Sequence, residues 1–247
     1  MQTRRVLEAL LVAGVIGVAS VLANVPPLPV GAFSQAQAGN VLPAGWMPLT
    51  FRHIARHTQY SLVRDAEAGV VVRAHADNAA SGLIRAIAVD ANEHPVLRWR
   101  WKAQNLIEKG DLARKDGDDF PARIYVSFRY SPERLSALDR AKYAAARVIY
   151  GEYPPHAGLN YVWDTKAAPG TIAPNAFSDR VKMIVVESGS GRLRQWIDYE
   201  RNIVADYRMA FGEDPPPIAG IALMSDADNT GESVVAYYGD ITLSPLR

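Results

Sequence analysis

Two clusters of carboxylates in the chain have a spacing that suits metal binding or acid–base chemistry. Asp226-x-Asp228-x-Thr230-Gly231 sets oxygen-bearing side chains at alternate positions and a glycine at the sixth, as a calcium loop begins. Counted from Asp226, the twelfth position is Tyr237, where such a loop needs a bidentate glutamate. Asp226, Asp228 and Thr230 could still form a partial or non-EF calcium site, but a plain hairpin loop turned by Asn229 and Gly231 is the favoured reading; no other cofactor is expected. An apolar strand leading into Asp-x-Asp-x-Thr also suits a phosphoryl-transfer nucleophile. That chemistry needs a large α/β body downstream, and only sixteen residues follow Gly231.

Asp116-Gly117-Asp118-Asp119 places three carboxylates within four residues, which repel unless something positive sits among them. They could ligate calcium or give an enzyme a general acid of raised pKa. They could equally pair with Arg114, Lys115 and Arg123 in a solvated loop. A glycosidase needs two carboxylates at a defined separation, which sequence does not define. His53 and His57, four apart, could share a metal on a helix, but their segment does not read as one. Ser81-Gly82 lacks the Gly-x-Ser-x-Gly context of a hydrolase elbow.

Two alternating stretches supply the remaining candidates. In Val96–Lys102, Leu97, Trp99 and Trp101 point one way and Arg98, Arg100 and Lys102 the other. In Ala122–Tyr130, Arg123, Tyr125 and Arg129 share one face. If both stretches lie in one sheet, Arg98, Arg100, Lys102, Arg123, Tyr125 and Arg129 form a basic face for an anionic glycan, with Asp118 and Asp119 beside it. Paired or solvated cations on an outer sheet face give the same pattern without a ligand. Trp99 and Trp101 share a face with Leu97 and are expected in the core.

The elements that must position these residues read as mostly β. Strands are expected over Ala68–Ala76, Ser81–Val89, Val96–Lys102, Ala122–Tyr130, Asn160–Asp164, Val181–Glu187, Ile218–Met224 and Ser233–Leu243. One helix is expected after the Ser131-Pro132-Glu133 start, with Leu135, Leu138, Ala145 and Ile149 on one side and Gly151 as its stop. A second is expected to be capped by Asp198, to carry Tyr199, Ile203, Tyr207 and Phe211, and to end at Gly212. Strands and helices do not alternate, so the expected fold is mainly β: a two-sheet antiparallel, jelly-roll-like sandwich with two helical insertions.

Composition narrows the roles. The chain has 27 Lys plus Arg against 26 Asp plus Glu, a balance that argues against nucleic-acid binding. The absence of cysteine excludes disulfides, thiolate metal sites and a cysteine nucleophile. Arg4 and Arg5, followed by the uncharged, mostly apolar run Ala9–Ala23, read as an export signal. Ala36-Gln37-Ala38 fits the cleavage site, with Leu22-Ala23 as an earlier alternative. The expected organisation is a signal peptide over 1–38 and one domain over 39–247, periplasmic or secreted. The rival is a retained anchor.

Several segments together resemble the bacterial family designated DUF3047. They are Ala80-Ser81-Gly82-Leu83, Leu97-Arg98-Trp99-Arg100-Trp101-Lys102, Gly117-Asp118-Asp119-Phe120-Pro121-Ala122-Arg123, Tyr161-Val162-Trp163 and Asp226-Ala227-Asp228-Asn229-Thr230-Gly231. They run in order from near Trp46 to Thr242. The resemblance implies an exported bacterial protein and brings no activity with it. The strand pattern is also similar to carbohydrate-binding jelly rolls. The expected role is a non-catalytic binder of polysaccharide or cell-envelope glycan. A glycan hydrolase or lyase using Asp118, Asp119, Arg123 and Tyr125 is one alternative, and an envelope scaffold with a protein partner is the other.

Overall fold

The computed structural model describes residues 25–150 and 155–246. The expected signal segment upstream of residue 25 and the expected helix stop Gly151 lie outside the described residues, as do the side chains of Ala145 and Ile149. Thirteen strands and two helices follow in order: β1 (Leu28–Gly31), β2 (Met47–Leu49), β3 (Gln59–Asp65), β4 (Gly69–Asp77), β5 (Ala80–Val89), β6 (Val96–Ala103), β7 (Arg123–Phe128), α1 (Ala137–Tyr150), β8 (Gly158–Asp164), β9 (Ile172–Asn175), β10 (Ser178–Ser188), β11 (Ile197–Asn202), α2 (Ile203–Phe211), β12 (Ile218–Asp226) and β13 (Ser233–Ser244).

They build a two-sheet sandwich. The first sheet has the order β11-β6-β13-β4-β3, with β1 also paired to β13; the second has the order β2-β5-β12-β7-β8-β10-β9. Neighbours are antiparallel except β8 and β10, which run parallel. Period-two alternation explains the core. Leu97, Trp99 and Trp101 of β6 meet Ile124, Val126 and Phe128 of β7 and Leu159, Tyr161 and Trp163 of β8 across the sheets, all buried. Trp99 lies 5.2 Å from the Tyr161 ring and 5.5 Å edge-on from Trp101, which places both tryptophans in the core, as their shared face with Leu97 predicts.

All eight expected strands are present, and two local expectations are corrected. Ser131 makes no side-chain cap and is followed by a short 3-10 turn at Pro132–Arg134; α1 starts later, where the Ser136 hydroxyl accepts from Asp139 N–H at 3.1 Å. Asp198 and Tyr199 are not helical: Ile197–Asn202 pairs along β6, and Asn202 caps α2 by accepting from Ala205 N–H. Tertiary pairing overrides the i+4 pattern there, while Gly212 ends α2 in the left-handed region as expected.

Leu28 and Pro29 pair with Leu243 and Thr242, and Val30 and Phe33 are fully buried. Residues ahead of 39 thus contribute a short strand and two buried side chains to the sandwich. No described helix is long and apolar enough to cross a membrane.

Candidate ligand groove and the buried acidic loop

The expected basic face does not form. β6 belongs to the first sheet and β7 to the second, so Arg98, Arg100 and Lys102 lie on one outer surface and Arg123 and Tyr125 on the opposite one. Nor are the β6 cations free. Arg98 pairs with Glu200 at 2.7 Å, and Arg100 pairs with both Glu67 and Asp198 at 3.2 Å. Lys102 pairs with Asp65 and sits 4.7 Å over the Trp196 ring. Burial alone would raise the Asp65 carboxyl, yet Lys102, the Trp196 indole and the N–H groups of Glu67 and Ala68 together hold it far below the usual carboxylate range. This surface is a charge-compensated layer.

Arg123 is the centre of a buried network on the second sheet, only 2% exposed. Its Nε donates to Asp226 Oδ1 at 2.8 Å, and Nη2 donates to Asp226 Oδ2 and to the Asp118 carbonyl at 2.5 Å. Nη1 donates to the Tyr125 hydroxyl at 3.2 Å, and the guanidinium lies 4.4 Å over the Phe120 ring. A bidentate fork on one carboxylate is what the planar guanidinium does best. Arg129 lies beyond β7 and is exposed.

The acids close two loops over this guanidinium. Asp118 accepts from the Asn175 amide and lies 3.7 Å from Arg123 Nη1; burial, opposed by Arg123, raises its carboxyl above the ordinary value. Asp119 accepts from Asn229 N–H at 3.3 Å and from Thr230 N–H at 2.7 Å, tying the 116–119 loop to the 226–231 loop. Asp228, raised by burial and by the charge of Asp119, completes a triad with Asp119 and Asp226 whose oxygens lie within 4.8 Å of one another. Asp226 is already forked by Arg123, Asp119 is held by the backbone N–H groups of Asn229 and Thr230, and the Thr230 hydroxyl is buried without a hydrogen-bond partner. Gly117 is needed in this loop because a Cβ there would fall 2.8 Å from Asp111 Cβ.

The outer face of the second sheet is covered at one end by the segment before β7, with Leu112 and Phe120 packed on Val162, Met183 and Val185. At the other end α1 packs through Tyr143, whose hydroxyl donates to the carbonyls of Pro155 and His156 at 2.9 and 2.8 Å. A groove of about 540 Å³ remains. Gly158, Ala222 and Ser127 lie along its floor on three adjacent strands, a strip of small residues that leaves the depression open. Tyr125, Tyr143 and Phe51 supply aromatic rings, and Ser178, Lys142 and Arg180 add polar groups. Lys142 and Arg180 both reach one carboxylate, Asp139, at 3.3 and 3.4 Å. Burial raises the Tyr125 phenol, which is therefore a neutral hydroxyl at pH 7.

Of the expected ligand residues, Tyr125 alone lines this groove. Arg123 stands behind it as its hydrogen-bond donor, and Asp118 and Asp119 hold loops. Sequence reasoning missed Phe51, Tyr143 and Arg180, which come from a loop, a helix and a distant strand; no single periodicity joins them.

The family profile described as "Protein of unknown function (DUF3047)" matches residues 44–242. No curated protein matches the chain. Among solved structures, the family 11 carbohydrate-binding module of the cellulosomal cellulase Lic26A-Cel5E of Clostridium thermocellum is 10% identical with a TM-score of 0.44, over 90% of this chain and 96% of that one. The family 30 carbohydrate-binding module of the Clostridium thermocellum cellulase Cel9D-Cel44B is 11% identical with a TM-score of 0.38, over 88% and 98%. A CBM29-2 carbohydrate-binding module mutant is 9% identical with a TM-score of 0.35, over 89% and 91%. The likeness is one of general sandwich architecture.

Proposed function

The chain belongs to the DUF3047 family, whose description assigns no role, so its ligand must be inferred from the groove, and we propose that it is an exported, non-catalytic module that binds polysaccharide or cell-envelope glycan there. The observation that carries this reading is the groove itself: a strip of small residues flanked by three aromatic rings, with hydroxyls and two cations at its edges. A sugar ring offers apolar C–H faces to aromatic walls and hydroxyls to the rim, which matches that lining. The volume falls within the roughly 300–1,000 Å³ range of small-ligand sites. Because Lys142 and Arg180 share one acid, acidic glycans are expected to bind more tightly than neutral ones, with affinity falling as salt rises.

The test is thermal melting of the protein against a panel of acidic and neutral polysaccharides. Ligand at about 100 times its dissociation constant should add roughly 2.7 kcal/mol to stability. Ala222→Trp, which fills the floor, should abolish that shift while the unliganded protein still melts cooperatively. An unchanged shift in Ala222→Trp would remove the ligand from the groove. New reducing or unsaturated ends during incubation would replace the binding reading with a hydrolase or lyase. No shift with any glycan, together with uptake of an apolar dye into the groove, would overturn the glycan class.

A further inference from the structure

Resting on the export reading but independent of the ligand, we propose that the chain is cut after Ala23, and that residues 24–38 stay with the mature protein, keeping β1 in the first sheet. The small-x-small signal at Ala36-Gln37-Ala38 is then not used.

The fold supplies the first argument. β1 extends the end of β13, with Leu28, Pro29 and Gly31 in register with Leu243, Thr242 and Ile241. Phe33 folds back so closely on Gly31 that a Cβ there would meet the ring at 2.6 Å, and it packs 5.4 Å from Trp46. Ser34 is clamped by Asp240, its N–H donating at 2.8 Å and its hydroxyl at 2.6 Å. Arg85 Nη1 donates to the Val30 carbonyl at 2.6 Å, and the Pro26 carbonyl lies 3.1 Å from His94 Nε2. Gly39 and Leu62 exchange both backbone hydrogen bonds. A cut after Ala38 would strip β1 from β13, take two fully buried side chains out of the core and leave Arg85 and Asp240 without these partners.

The second argument comes from the signal. Export signals run about 15–30 residues and are cut soon after the apolar run. The run here ends at Ala23, and Val21 and Ala23 place small or modest uncharged side chains at the two positions that matter. Ala38 lies beyond that span and past Pro26, Pro27 and Pro29. A cut after Ala23 leaves only Asn24 and Val25 ahead of the contact that Pro26 makes.

The test is to express the full chain in a Gram-negative host, recover the periplasmic fraction, and read the N-terminus by sequencing and intact mass. A mature protein starting at Asn24 is the expected result. A start at Gly39 overturns the inference alone. Membrane-bound protein that keeps Met1 overturns the cut in favour of an anchor, and uncut cytosolic protein defeats the export reading and the inference together. As a paired check, Ala23→Tyr should accumulate precursor, whereas Ala38→Tyr should leave the Asn24 start unchanged; the reverse pattern overturns the assignment.

Discussion

Replacing Arg123 with methionine would keep most of the aliphatic volume of the side chain and delete its charge from a site where it is 2% exposed. Asp226, also 2% exposed, would lose both guanidinium donors and keep one hydrogen bond, from Phe120 N–H at 3.1 Å. The Asp118 carbonyl and the Tyr125 hydroxyl would each lose a donor as well. Removing one partner of a buried ion pair costs about 3–5 kcal/mol, because the other charge stays buried without compensation. For a domain of this size that corresponds to a fall in Tm of roughly 6–20 °C. Arg123→Met/Asp226→Leu removes both charges, leaving Phe120 N–H unpaired at a cost of about 1–3 kcal/mol. The double variant should therefore be more stable than Arg123→Met alone. Urea unfolding of the four proteins at neutral pH reads this directly from midpoints at constant slope. A loss below about 1 kcal/mol for Arg123→Met, or a double variant as unstable as the sum of the singles, would refute the view that Arg123 is the countercharge on which the acidic loops fold.

Three further outcomes can be checked. Asp65 has a depressed carboxyl pKa, so its contribution is present above the unfolded value near ~3.9 and is lost as pH falls through the folded one; Asp65→Asn should destabilise the protein at neutral pH and converge with the parent in acid, and a pH-independent gap would contradict this. His156 is fully buried, and burial followed by the Arg180 charge lowers its pKa against the pull of Glu213. The unfolded chain then takes up the proton first, so stability should fall from about pH 7.5 to pH 5.5, and His156→Phe should flatten that fall; an equal fall in the variant would locate the cause elsewhere. Calcium should leave the melting temperature unchanged relative to EDTA, since Arg123 already occupies Asp226 and backbone N–H groups occupy Asp119; a saturable rise would put the ion among Asp119, Asp226 and Asp228.

Some strands were legible because a buried face is written at period two, and others, such as β8 and β12, as short continuous apolar runs. β6 and β7 place large apolar residues at every second position, and β13 alternates up to its bulge between Tyr238 and Ile241. β1 was hidden for a different reason. It contains Pro29 and carries no long alternating run, yet proline is acceptable on a short strand that pairs along one side only. β3 has a single fully buried member, Leu62, in a run of polar residues. β11 carries Tyr199, which lies four before Ile203 and eight before Tyr207, so one aromatic spacing served two elements.

The misplaced basic face follows from those same omissions. Alternation tells which side chains of one strand share a face, and it is silent about which sheet the strand joins, because that depends on partners distant in sequence. β6 pairs with β11 and β13, and β7 with β12 and β8. The acids that neutralise the β6 cations come from the strands that could not be read: Asp65 ends β3, Glu67 follows it, and Asp198 and Glu200 lie on β11. With β3 and β11 unseen, Arg98, Arg100 and Lys102 looked like a free cationic surface. Once those strands are in place, the β6 cations are compensated, while at the groove rim Lys142 and Arg180 share the Asp139 carboxylate. A ligand drawn by charge is therefore expected at the helix-covered sheet, beside the one residue, Tyr125, that both the strand alternation and the folded chain place there.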